Sequence, residues 1–173
     1  MLLSGSFELK EIISQQTGYW FGVIPKWNAI ANPLAFLVFL VTMFAETNRL
    51  PFDFAEAEQE LVGGYHTEYS SLKFALFMLS EYINMLTLSM LMVVFFLGGW
   101  HVPGIELIPN QWAQLAVSIG AFALKTLFFA FLFMWVRWTL PRLRYDQLMG
   151  LGWKVLLPLA LVACAGSAIA LAL

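Results

Sequence analysis

The chain has 173 residues, of which 61% are hydrophobic and 12% charged, with a net charge of −2 and a single cysteine. Soluble domains are nearer half apolar and a quarter charged, so this composition is that of a membrane protein. The near-neutral balance leaves no basic footprint for nucleic acid, and one thiol makes neither an internal disulfide nor an iron–sulfur cluster.

The stretch from Met1 to Trp20 carries Glu8, Lys10 and Glu11 and no long apolar run. It lacks the basic start and apolar core of a signal peptide. It reads as a short interfacial segment, its first residues resembling the tail of an earlier helix. A bilayer core asks for about 20 apolar residues in a helix. Four segments are expected to span it, at about 29–45, 72–97, 112–136 and 153–173. Pro33 falls in the opening turn of the first, where proline is tolerated. In the last, Ala163, Gly166, Ser167 and Ala168 are expected to pack against neighbouring helices. Cys164 lies among them and reads as a small packing residue. The expected fold class is therefore an all-α integral membrane protein, a single domain of four transmembrane helices with a structured acidic cytoplasmic loop.

Charge sets the sidedness. The connection between the third and fourth spans holds Arg137, Arg142, Arg144 and Lys154, whereas 98–111 holds neither Lys nor Arg. The excess of positive charge assigns the former to the cytoplasm. Alternation then puts the 46–71 loop on the same side, with 98–111 and the stretch before Ala29 on the other. Trp100, Trp112, Trp135, Trp138 and Trp153 fall at the expected boundaries, as interfacial anchors do.

The 46–71 loop reads ETNRLPFDFAEAEQELVGGYHTEYSS. It sets Glu46, Asp53, Glu56, Glu58, Glu60 and Glu68 against Arg49 alone, and intersperses Leu50, Phe52, Phe54, Leu61 and Val62. Two readings stand. A solvated acidic face would dock a basic partner. A partly buried cluster of carboxylates would titrate as a coupled set and pass protons, since crowded carboxylates cannot all ionise in a reduced dielectric. Glu81 lies nine residues past Leu72, roughly 14 Å along the second span. An ionisable group at such depth is a functional candidate and calls for a partner. Lys125, at a similar depth in the third span, is the expected partner, in a shared wet path or in an ion pair that fixes helix registry. Ser80, Asn84 and Thr87 could solvate such a path or make polar contacts between helices, while Tyr82 reads as packing. His101 has no second histidine nearby, and no Walker loop, dinucleotide fingerprint or nucleophile elbow occurs.

Several strings together resemble a known family. They are Glu46-Thr-Asn-Arg49, Pro51-Phe52-Asp53, Glu56-Ala-Glu58-Gln-Glu60-Leu-Val and Gly64-Tyr-His-Thr-Glu68-Tyr-Ser. Glu81-Tyr-Ile-Asn84-Met, Phe96-Leu-Gly-Gly-Trp100, Lys125 and Leu140-Pro-Arg142-Leu-Arg144-Tyr-Asp-Gln-Leu-Met149 continue the match. These resemble the H subunit of the proton-pumping NADH:quinone oxidoreductase, respiratory complex I, over essentially the whole chain and in its bacterial form. The resemblance implies a multi-pass component of the bacterial inner membrane that contributes to the quinone site and couples quinone reduction to proton pumping. It implies proton-coupling roles for Glu46, Asp53, Glu56, Glu58, Glu60, Glu68 and Glu81, to which the depth argument adds Lys125 as Glu81's expected partner, and a place for Arg49 beside the quinone chamber and loop. No cofactor is expected on this chain. Quinone is the substrate of the complex, and flavin mononucleotide and iron–sulfur clusters belong to partner subunits. Expected partners are the soluble quinone-module subunits, neighbouring small membrane subunits and lipid. Members of that family are about twice as long, with about eight spans, and Met1 falls where a member leaves its fourth. The alternatives are the homologous component of a membrane-bound hydrogenase and a truncated remnant.

Overall fold

The computed structural model describes residues 5–20, 24–47, 49–52, 69–105 and 108–172. In chain order these form α1 (Leu9–Gln15), a two-residue antiparallel ladder of β1 (Tyr19–Trp20) and β2 (Ile24–Pro25), α2 (Asn28–Ala31) and α3 (Pro33–Glu46). Then come α4 (Ser71–Phe96), α5 (Gln111–Thr139), α6 (Tyr145–Leu151), a π-helical stretch (Gly152–Leu156) and α7 (Leu157–Ala172). Among the described residues the regular structure is helical apart from that ladder. The Asp53–Glu68 stretch, with five of the six carboxylates of the acidic loop, lies outside the described residues.

Among the described residues, three helices are long and apolar enough to cross a membrane: Ser71–Phe96, Gln111–Thr139 and Tyr145–Ile169. The second and third expected spans match α4 and α5 to within three residues. The last begins eight residues earlier than its apolar run suggests, because α6, the π stretch and α7 run on as one helix. The Arg144 N–H donates to Gln147 Oε1 at 3.1 Å and helps open it. The first expected span is shorter than its apolar run. Its helix, α3, has 14 residues, and α2 is set off from it at Asn32 (φ −139°, ψ 78°). A residue before proline is pushed out of the helical region, so Pro33 opens a new helix rather than continuing α2. Asn32 Oδ1 caps it, accepting from the Ala35 N–H at 3.1 Å. Thr47 closes it, its hydroxyl donating to the Met43 carbonyl at 3.1 Å. At 1.5 Å per residue α3 is roughly 21 Å long, against a bilayer core of about 30 Å.

The core sits where α3, α4 and α5 meet. Met43 and Phe44 of α3, Met92 and Val93 of α4, and Phe129 and Phe133 of α5 are buried there with Phe52 of the following turn. The Phe44 and Phe133 rings lie 4.3 Å apart, centre to centre. Phe36 and Phe39 of α3 pack on Phe96 and Phe95 of α4. These pairs fix an antiparallel register in which α3 covers only the second half of α4, and the end of α3 comes level with the middle of α4. α7 packs on α3, where Asn32 Nδ2 donates to the Ala163 carbonyl at 3.3 Å. Of the small residues expected to pack on this helix, Ala163 and Ser167 are buried while Gly166 and Ala168 are exposed. Cys164 is also exposed, not packed as expected.

The outward faces stay apolar: Leu72, Ile119, Leu124 and Leu161 are all more than 60% exposed. Unbroken helices with apolar outer faces satisfy their backbone internally and offer lipid what it solvates best. All five expected anchor tryptophans are exposed.

Candidate functional site

Two polar constellations sit at the two halves of α4. The first is at the loop end. Arg49, three residues beyond α3, pairs with Glu81 of α4, Nη2 to Oε2 at 3.0 Å, with both side chains largely buried. The guanidinium also stands 5.0 Å from the centre of the Tyr82 ring. A turn holds the arginine there. The Phe52 N–H donates to the Arg49 carbonyl at 2.9 Å, and the Pro51 carbonyl accepts from the Leu143 N–H at 3.1 Å. Pro51 and Phe52 are buried. The opening of the acidic loop is therefore anchored both to α4 and to the basic connection after α5. The 46–71 and 137–154 connections share one end of the bundle, as the charge pattern predicts. Glu46 is exposed on the last turn of α3.

The second constellation is at the far end of α4. Gln16 of the N-terminal segment is 1% exposed. Its Nε2 donates to the carbonyls of Ile12 (3.1 Å) and Val94 (3.0 Å), and its Oε1 accepts from the N–H groups of Asn28 (3.3 Å) and Gly98 (3.0 Å). Asn28 Nδ2 donates to the Phe95 carbonyl at 2.8 Å. Lys125 Nζ donates to the carbonyls of Leu97 (2.8 Å), Gly99 (3.0 Å) and His101 (2.9 Å), with the Trp27 ring 5.2 Å away. Gly98 and Gly99 take left-handed φ of +68° and +57°, which reverses the chain and aims these carbonyls inward. The tyrosine of the N-terminal segment joins in, as Tyr19 Oη accepts from the Gly104 N–H at 2.9 Å. The stretch before Ala29 and the 98–111 connection thus share the opposite end, again as the charge pattern predicts.

The expected Glu81–Lys125 pair is not formed. Sixteen residues separate Glu81 from Leu97, roughly 24 Å along α4. Equal depth from the ends of two spans is equal height only if the helices are flush. Here α4 and α5 are staggered, so Lys125 meets the end of α4 while Glu81 meets the loop. Tyr82, expected only to pack, is a partner of Arg49. Thr87, a candidate path residue, donates to its own helix at the Ile83 carbonyl. Nothing in the sequence marks out Gln16, Trp27 or Asn28. The Gly98-Gly99 pair after an apolar run is the local sign of a broken helix end. A cavity of about 400 Å³ opens between α3, the end of α4 and α7, lined among others by Asn32, Phe39, Phe96, Ala163 and Cys164. It lies away from the Arg49–Glu81 pair.

The apolar helices and the paired charges between them define a polytopic integral membrane protein. The NADH dehydrogenase family model matches residues 1–168. The NADH-quinone oxidoreductase H subunit of Leptospira biflexa is 52% identical over 160 residues, 91% of this chain and 43% of that protein. The H subunit of Flavobacterium psychrophilum is 47% identical, covering 94% of this chain and 46% of the relative. NADH-quinone oxidoreductase subunit 8 of Rhodothermus marinus is 49% identical, covering 93% and 49%. The chain belongs to the NADH dehydrogenase family, and it spans slightly less than half the length of these relatives.

Proposed function

We propose that this chain serves as a membrane component of a proton-translocating NADH:quinone oxidoreductase, contributing to the quinone site and coupling quinone reduction to proton movement. The observation that carries the reading is the Arg49–Glu81 pair, which ties the acidic loop to the interior of α4. The pair exists only while Glu81 is a carboxylate. A proton delivered to Glu81 removes its charge and releases the guanidinium from the ion pair, leaving it, among the described residues, the face of Tyr82. A charge change at one position thereby becomes a movement of the Arg49–Phe52 turn, and through it of the loop. Glu46, Asp53, Glu56, Glu58, Glu60 and Glu68 supply the remaining carboxylates of the route. Lys125, expected in the same route, lies at the far end of α4 beyond reach of the pair.

In this reading the chain is one membrane domain in a bacterial inner membrane, with the loop end cytoplasmic. The short α3 crosses as a fourth span, lengthened by α2 and locally thinned lipid, since a bilayer accommodates a short helix at modest cost. The chain carries no cofactor of its own. Quinone is the substrate of the assembled complex. Flavin and iron–sulfur clusters reside in partner subunits that dock at the loop end, while smaller membrane subunits flank the helices.

The test is Glu81→Gln in the assembled complex. NADH:quinone turnover is expected to fall at least tenfold, with NADH oxidation by a soluble artificial acceptor unchanged. Equal loss of both activities, or loss of neither, would overturn the proposal.

A further inference from the structure

A helix that ends among apolar surroundings leaves its last carbonyls to be answered by something other than water. At α4 the answer comes from three directions. Gln16 takes Val94, Asn28 takes Phe95, and Lys125 takes Leu97 together with the Gly99 and His101 carbonyls beyond the break. The two left-handed glycines make the convergence possible. A Cβ at Gly98 would meet Trp27 Nε1 at 3.2 Å, and one at Gly99 would meet Ile13 Cδ1 at 2.6 Å. The backbone is thus folded tightly between the N-terminal segment and Lys125.

Three carbonyl oxygens within 3.0 Å of one nitrogen select its chemical state. An ammonium has three N–H donors and no acceptor. A neutral amine would turn a lone pair on one of the three oxygens. The Trp27 ring adds the face of a π system, which also favours a cation. A carbonyl oxygen does not take the proton away, so the arrangement holds charge and does not relay it.

We propose that the Leu97, Gly99 and His101 carbonyls form a cradle for a primary ammonium group. Lys125 fills it as a tethered ammonium ligand, and its occupancy clamps the N-terminal segment and α5 to the broken end of α4. Because the cradle is backbone, it survives removal of its ligand. Lys125→Ala deletes three carbons and the nitrogen, so n-propylammonium has the matching length and charge.

The experiment uses the whole complex containing this chain, purified in detergent, and reads its thermal unfolding with no need of the redox assay. Failure of the cradle is thereby distinguishable from failure of the functional reading. Lys125→Ala is expected to lower Tm by several degrees, and tens of millimolar n-propylammonium to restore at least half of the drop. Tetramethylammonium and sodium at equal ionic strength should restore none of it. An unchanged Tm, a drop that propylammonium leaves in place, or recovery with any cation would overturn the proposal. Should the variant fail to assemble, reductive methylation of the unaltered complex decides. Lys125 is expected to remain unmodified while the exposed Lys10, Lys26 and Lys154 react, and to react only after denaturation. Modification at the rate of those three would contradict the clamp.

Discussion

The two halves of α4 each answer a positive charge, and they answer it differently. At the loop end Arg49 is met by a carboxylate on a single helix position. At the far end Lys125 is met by three backbone carbonyls on a broken turn. A carboxylate can be titrated, so the first arrangement has two states. Backbone carbonyls cannot, so the second keeps its three acceptors unchanged. Breaking a largely buried ion pair on one side leaves the other charge stranded, whereas the cradle is one of several supports gathered around Gln16. The difference assigns motion to one end and fixity to the other.

If the far end is a fixed clamp, its largest single support is Gln16. Gln16→Leu removes four hydrogen bonds of about 1 kcal/mol each and strands the Gly98 N–H and Val94 carbonyl. A loss of about 3–5 kcal/mol is expected from those bonds, read as a large fall in the thermal midpoint of the purified complex. A fall of under a degree would show that the clamp does not bear on stability. Gly99→Ala should cost about 2–4 kcal/mol, combining left-handed strain with the clash on Ile13. Adding Ile13→Val should recover the clash and leave the strain, so the double variant should be more stable than Gly99→Ala alone. Failure of that recovery would mean the break is not packed on Ile13. The smallest effect is expected at the loop end. Tyr82→Leu removes only the ring under Arg49, worth about 0.5–1 kcal/mol, and should alter quinone-linked turnover by no more than about threefold. A loss as large as that of Glu81→Gln would move Tyr82 into the centre of the site.

Much of this is legible in the chain itself. Runs of apolar residues place α4 and α5 to within three residues, and the Lys and Arg asymmetry puts the right connections together at each end. The pair that organises the loop end is half legible. Glu81 stands out as a charge needing a partner, but Lys125 suggests itself only because both lie a similar number of residues from a helix end. That count assumes flush helices, and the stagger of α4 against α5 is set by aromatic packing on α3, which single-chain periodicity does not record. Arg49, to the eye a loop residue, cannot be seen reaching Glu81 without knowing that α3 is only 14 residues long. The shortness of α3 itself is foreshadowed by Asn32-Pro33, since the backbone before proline leaves the helical region. The role of Gln16 carries no signal, because a buried glutamine bridging four backbone groups leaves no spacing rule behind.

The most direct test of a switchable loop end is a double-mutant cycle on quinone-linked turnover with Arg49→Gln, Glu81→Gln and the two combined. Residues that act as one pair are non-additive. Pairing predicts that the double variant is no slower than the slower single variant, with the artificial-acceptor activity of all three unchanged. Losses that multiply in the double variant would show that Arg49 and Glu81 act independently and would contradict a loop held to α4 by their charges.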